Sequence, residues 1–204
     1  AGRPPRFATR NLKPMPLFML RAEKDLAVAV RAFCAALKRQ IMAAPEVRAV
    51  LNFAIEVLRR NGFEGLKSLL PTPTRRGLVL IDPSYELKSD YGKVSACIQD
   101  SLKRFPTGTY LVWYPIIPRT EAQDLPKKLR TFATQTQRPW LNATLAIGHG
   151  PLQPNERPGL TASGMFVINP PHTLKAELQA TLPLLVTLLG RGRGQAQSVE
   201  AGGA

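Results

Sequence analysis

The chain has 204 residues, 44% of them hydrophobic, which is enough for one domain with a proper core, and no run of about 18 uncharged apolar residues that could span a bilayer. Its net charge of +14 points to a polyanionic partner, but residues 1–76 carry +10 of that excess and residues 77–204 only +4. Cys34 and Cys97 have neither metal-ligand nor Cys-x-x-Cys spacing, so both are expected reduced and buried, as in a cytoplasmic protein.

Residues 1–20 hold four prolines, read as irregular and make a poor secretory signal; the start on Ala1 suits a fragment or a processed chain. From Arg21 to Arg60 apolar residues recur at three- and four-residue steps (Leu26, Val30, Phe33, Leu37), so a basic, mostly helical segment, broken at Pro45, is expected across residues 1–60. A short helix over Gly62–Leu70 ends at Pro71-Thr72-Pro73-Thr74. GLVLID, Gly77–Asp82, is a continuous apolar run with an acid at its carboxyl end, the pattern of a strand buried on both faces. A helix over Tyr91–Phe105, a strand over Thr109–Pro115 and a polar helix over Thr120–Gln135 follow. Trp140–Ile147 and Ser163–Asn169 read as two more strands around a Pro/Gly-rich loop, and a last helix spans Leu174–Leu189. Residues 190–204 read as a disordered tail. The alternation predicts an α/β layer architecture over residues 61–189.

In such a sheet ligands bind at the carboxyl ends of strands, where Asp82-Pro83-Ser84-Tyr85 stands. An acid followed by proline and an aromatic residue suits chemistry on an exocyclic amine. The carboxylate and the Pro83 carbonyl can accept the two amine protons and aim the nitrogen lone pair at an incoming methyl. An aromatic face can stack on the base, worth roughly 1–3 kcal/mol, against the few kcal/mol that extruding the base costs. The same four residues could equally form a turn after a strand, since Asp-Pro and Ser favour turns.

The blocks TRRGLVLIDPSYELKSDY, LKRFPTGTYLVWYP and GLTASGMFVINPP, with their order and spacing, resemble the bacterial 23S ribosomal RNA adenine-N(6) methyltransferase family RlmJ over about residues 60–190. The resemblance implies a class I methyltransferase fold with a Rossmann-like sheet, S-adenosylmethionine as methyl donor and an adenine of 23S ribosomal RNA as acceptor. It further implies action before full ribosome assembly, by a monomer with no membrane attachment. It gives Asp82 and Pro83 the catalytic position and Tyr85 the stacking one. NGFEGLKSLLP matches a segment whose Asp-Gly touches the adenosyl group, so Asn61 and Gly62, with Asp82, inherit cofactor binding. Serine replaces the family's second proline at position 84, which loosens the turn.

The family's glycine-rich donor loop has no counterpart, because no glycine lies between Arg3 and Asn61. The sheet is therefore expected to be incomplete on its amino-terminal side, with the Gly77–Asp82 strand an open edge and donor binding poor. A catalytically silent RNA-binding fragment and a structural remnant are the alternatives. Asn169-Pro170-Pro171-His172 mimics the motif, but the family uses the earlier copy. His149 and His172 read as a loop histidine and a packing residue, with no metal-ligand constellation around them. Lys88, Lys103, Arg104, Lys127, Lys128 and Arg130 could meet phosphates, though charged helix residues more often form a solvated face.

Overall fold

Buried alternation in the strands and apolar stripes on the helices assemble the chain into a six-stranded sheet with helices on both faces. The computed structural model describes residues 17–20 (backbone only), 61–151 and 159–203. The helical pattern expected over 21–60, its break at Pro45, and Cys34 lie outside these residues. The elements in chain order are β1 (Leu17–Leu20), α1 (Gly62–Leu69), β2 (Leu78–Ile81), α2 (Lys88–Arg104), β3 (Thr109–Pro115), α3 (Thr120–Gln135), β4 (Trp140–His149), β5 (Ala162–Ile168), α4 (Leu174–Leu189) and β6 (Arg193–Gly202).

The spatial order is β1-β2-β3-β5-β4-β6. β1, β2 and β3 are parallel, and β5 runs antiparallel between β3 and β4. One face carries the main core: Val79 and Ile81 of β2, Tyr110 and Val112 of β3 and Phe166 of β5 pack against Val94 and Ile98 of α2 and Leu125 and Leu129 of α3. On the other face α4 sets Leu182 over Leu141, Ala143 and Val167. Cys97 is free and buried on α2, where burial pushes its thiol up to about 11.

Two expectations are corrected. The Gly77–Asp82 strand is no open edge, because Leu17–Leu20, in a stretch read as irregular, pairs with it in parallel from Leu17↔Leu78 to Leu20↔Ile81. Four residues between prolines and charges carry no period long enough to read, and their pairing partner is some sixty positions away. Nor is 190–204 a disordered tail: β6 pairs antiparallel with β4 from His149↔Arg193 to Trp140↔Gly202. Its sequence, RGQAQSVEAG, is polar and glycine-containing because it is an outer strand, the composition that protects a sheet edge from further pairing.

Candidate active site at the carboxyl end of the sheet

β2 ends at Ile81, so Asp82 is the first residue beyond the strand and is half-buried there. Pro83 is buried and Ser84 exposed. Tyr85 is only 3% exposed and has φ +56°, a left-handed conformation that is strained for a bulky residue. Three interactions hold it. Its Oη donates to the Trp113 carbonyl at 2.6 Å, its ring lies 4.7 Å from that of Tyr91, and Arg119 Nη1 donates to its carbonyl at 3.1 Å. Burial first, and then the neighbouring Tyr91 and Asp82, raise the Tyr85 hydroxyl far above the usual tyrosine range, so it stays a protonated donor.

The expectation that Tyr85 offers its ring to a base rather than filling the core is therefore corrected. Between Tyr91 and Trp113 the ring has no open face, and its hydroxyl satisfies a backbone carbonyl one strand away. The Tyr91 hydroxyl is buried without a hydrogen-bond partner among the described residues. Burial raises its pKa, and the guanidinium of Arg119 opposes that rise. Between the end of β3 and the first turns of α3 lies an open depression of about 500 Å³ lined by Tyr114, Ile116, Ile117, Pro118, Ala122, Gln123 and Pro126. Arg119, which follows Pro118 and precedes α3, links its wall to the motif through the Tyr85 carbonyl.

Asn61 is the N-cap of α1, its Oδ1 accepting from the Phe63 N–H at 3.0 Å, which leaves its amide nitrogen to serve a ligand. Gly62 opens the helix. A donor such as S-adenosylmethionine would need close backbone approach after the strand beside β2. That strand is β1, and the residues after it are Arg21, Ala22 and Glu23, with no glycine before Gly62. Asn61 and Asp82 suit the cofactor's polar groups; the segment after β1 does not suit its methionine part.

The second proline motif is at the opposite end of the molecule. Asn169 follows β5, which runs antiparallel to β3, and its Nδ2 donates to the carbonyls of Pro106 at 2.9 Å and Gly108 at 2.7 Å. It ties down the start of β3. His149, expected in a loop, is the exposed last residue of β4, and His172, expected to pack, is exposed. No group of three or more His, Cys, Asp or Glu among the described residues could hold a metal ion. Of the candidate phosphate contacts, Lys88 pairs with Glu121, Arg104 with Asp100, Lys127 with Asp124 and Arg130 with Glu200. Sequence reasoning missed Arg119, because nothing local marks a residue that acts on a turn 34 positions away, and Tyr91, whose ring contact with Tyr85 shows only in the fold.

A family model described as RsmJ, ribosomal RNA large subunit methyltransferase D, RlmJ, matches residues 25–200. The match reaches into the basic segment, beyond the limit near residue 60 set by the motif blocks; a stretch rich in Ala, Leu, Val and Arg carries no sharp motif by which to see it. The chain is similar to ribosomal RNA large subunit methyltransferase J of Haemophilus influenzae, 44% identical over 135 residues, which is 66% of this chain and 46% of that protein. The Escherichia coli protein of the same name is 41% identical over 141 residues, 69% of this chain and 48% of its own. This chain thus spans about half the length of the curated relatives it matches. Its fold is similar to the crystal structure of protein LPL1258 from Legionella pneumophila, with a TM-score of 0.60 and 31% identity, covering 70% of this chain and 50% of that one.

Proposed function

The chain belongs to the RsmJ/RlmJ family of ribosomal RNA large-subunit methyltransferases, and on that premise we propose that it carries the acceptor site for methyl transfer to N(6) of an adenine in 23S ribosomal RNA. The Asp82 carboxylate accepts one proton of the exocyclic amine and the Pro83 carbonyl the other, which turns the nitrogen lone pair toward the donor. No strong base is required, because the amine can lose its proton after transfer. Tyr85 acts from beneath: buried and clamped by Arg119, it holds the turn that aims both acceptors. The apolar depression at Ile116, Ile117 and Pro118 takes the face of the extruded base.

The observation that carries this reading is the placement of Asp82. Of two proline motifs at strand ends, it alone stands at the carboxyl end of a parallel strand, the end at which open α/β sheets bind ligands. The family's donor is S-adenosylmethionine, which supplies an electrophilic methyl group; Asn61 and Asp82 are the residues offered to it, and the chain's own part is to hold and orient the amine. The substrate is 23S ribosomal RNA before full ribosome assembly, when the adenine can be extruded, and the protein acts as a cytoplasmic monomer. No helix among the described residues is long and apolar enough to cross a membrane.

A second reading, a silent RNA-binding fragment, is favoured by one observation: the glycine-free stretch from β1 to Asn61. Incorporation of labelled methyl groups into unmodified 23S ribosomal RNA at saturating donor separates the two. Slow incorporation that Asp82→Ala removes is the expected outcome. RNA binding with neither incorporation nor donor binding would replace the first reading by the second.

A further inference from the structure

We infer that the ribbon formed by the end of β4 and the start of β6 is a phosphate-binding arm, with Arg191 and Arg193 gripping the backbone of a structured RNA whose target base lies at Asp82. The inference rests on the proposed RNA substrate and adds to it a site that the motifs do not reach.

The arm is built, not trailing. β5 pairs with β4 as far as Ala146, and the Ile147 N–H still donates to the Thr161 carbonyl at 2.8 Å, whereas β6 pairs with β4 out to His149, so the last rung at His149 and Arg193 stands beyond the three-stranded part. The Arg191 N–H donates to the Ile147 carbonyl at 2.7 Å, which anchors the chain one residue before the crossing. Glycines make that crossing possible. A Cβ at Gly192, φ +84°, would come within 2.7 Å of the His149 carbonyl, and one at Gly148, φ +69°, would collide with the Arg193 carbonyl. The sequence Arg-Gly-Arg-Gly thus places two guanidinium side chains on a fixed backbone. Both are exposed, and neither forms an ion pair among the described residues. That sets them apart from Lys88, Arg104, Lys127 and Arg130, whose charges are matched by carboxylates.

The arm also stands at the right end. Ile81, Val112, Phe166, Asn142 and Glu200 form one row across the sheet, so Asp82 is level with Val199. Arg193 lies six residues beyond that level, about 20 Å at about 3.3 Å per residue, and four strand spacings, about 19 Å, to the side. Together these offsets make about 28 Å, too far to touch the reacting base or the phosphates beside it and within reach of phosphates several nucleotides away. Unpaired guanidiniums projecting past an acceptor site suit the phosphodiester backbone of a folded RNA, which positions without reading sequence.

The test is binding of a labelled stem–loop RNA with an unpaired loop adenine, measured over a series of salt concentrations. Arg191→Ala with Arg193→Ala is expected to weaken binding and to lower the slope of log affinity against log salt by about 0.7–0.9 for each lost contact. Arg191→Lys with Arg193→Lys should restore most of the slope. Arg75→Ala with Arg76→Ala removes the same charge from the opposite end of β2 and should leave the slope in place. If the double alanine variant melts early, the single changes Arg191→Gln and Arg193→Gln are each expected to remove one contact's share. RNA binding by the wild type with an unchanged slope in the alanine variant, or an equal loss from the Arg75 and Arg76 pair, would overturn the arm and leave the RNA reading standing. No RNA binding by the wild type would overturn both.

Discussion

Asp82 is the first residue past β2 and is half-buried there, at the position proposed to receive the base. Asp82→Ala is expected to lower methyl transfer by about 100–1000-fold, the scale seen when a preorganised polar group at a reacting centre is removed, with the circular dichroism spectrum of the fold retained; undiminished turnover would sink the assignment. Tyr85 works differently. Tyr85→Phe leaves the Trp113 carbonyl without its donor, for an expected loss of about 1–3 kcal/mol of stability, and Tyr85→Ala empties a core position for about 3–5 kcal/mol. Denaturant midpoints measure both. A Phe variant of full stability but weakened RNA use would return the ring to the ligand. Ser84 is exposed, so a proline there has room and would hold Pro83 extended; Ser84→Pro is expected to raise turnover or adenine affinity, and a loss would mean that Tyr85 and Arg119 already set the turn. The position of Asp82 and Pro83 at the end of a strand was legible from sequence, because an acid and a proline close a continuous apolar run. Tyr85 was not, because a stacking ring and a packed ring are the same residue until its neighbours are known.

At the scale of elements, the strands that hold the site are locked to one another by side chains as well as by backbone pairing. Tyr114 of β3 donates its hydroxyl to Asn142 Oδ1 of β4 at 2.8 Å, crossing β5 at Gly164. A Cβ at Gly164 would run into the Tyr114 ring. Gly164→Ala is therefore expected to destabilise the fold by about 1–3 kcal/mol, the usual scale of overpacking, read as a lower melting temperature; an unchanged value would mean that the Tyr114 ring can swing clear. Because Tyr114 also lines the depression proposed to take the base, the same change should weaken RNA use. The four central strands and all four described helices were readable in advance, since each has a clear period or a continuous apolar run between turn residues. β1 and β6 were not, for opposite reasons: β1 is too short to show a period, and β6 is too polar to show a buried face.

For the whole molecule the open question is the donor. β1 closes the edge of β2 and becomes the outer strand itself, but pairing an edge is a backbone function and cradling a cofactor needs glycines that do not follow β1. Calorimetric titration with S-adenosylmethionine is expected to give a dissociation constant weaker than micromolar, and micromolar binding would place a donor site where the residues do not suggest one. The sequence alone determined the α/β class, the motif at Asp82 and the family, because these rest on local periods and on residue types in fixed order. The tertiary structure alone decided that the two proline motifs stand at opposite ends of the sheet, that Tyr85 is clamped in the core, and that both ends of the chain's described part join the sheet. Each of these depends on pairing between residues far apart in the chain, and hydrogen bonds between distant backbones leave no mark on the spacing of either partner.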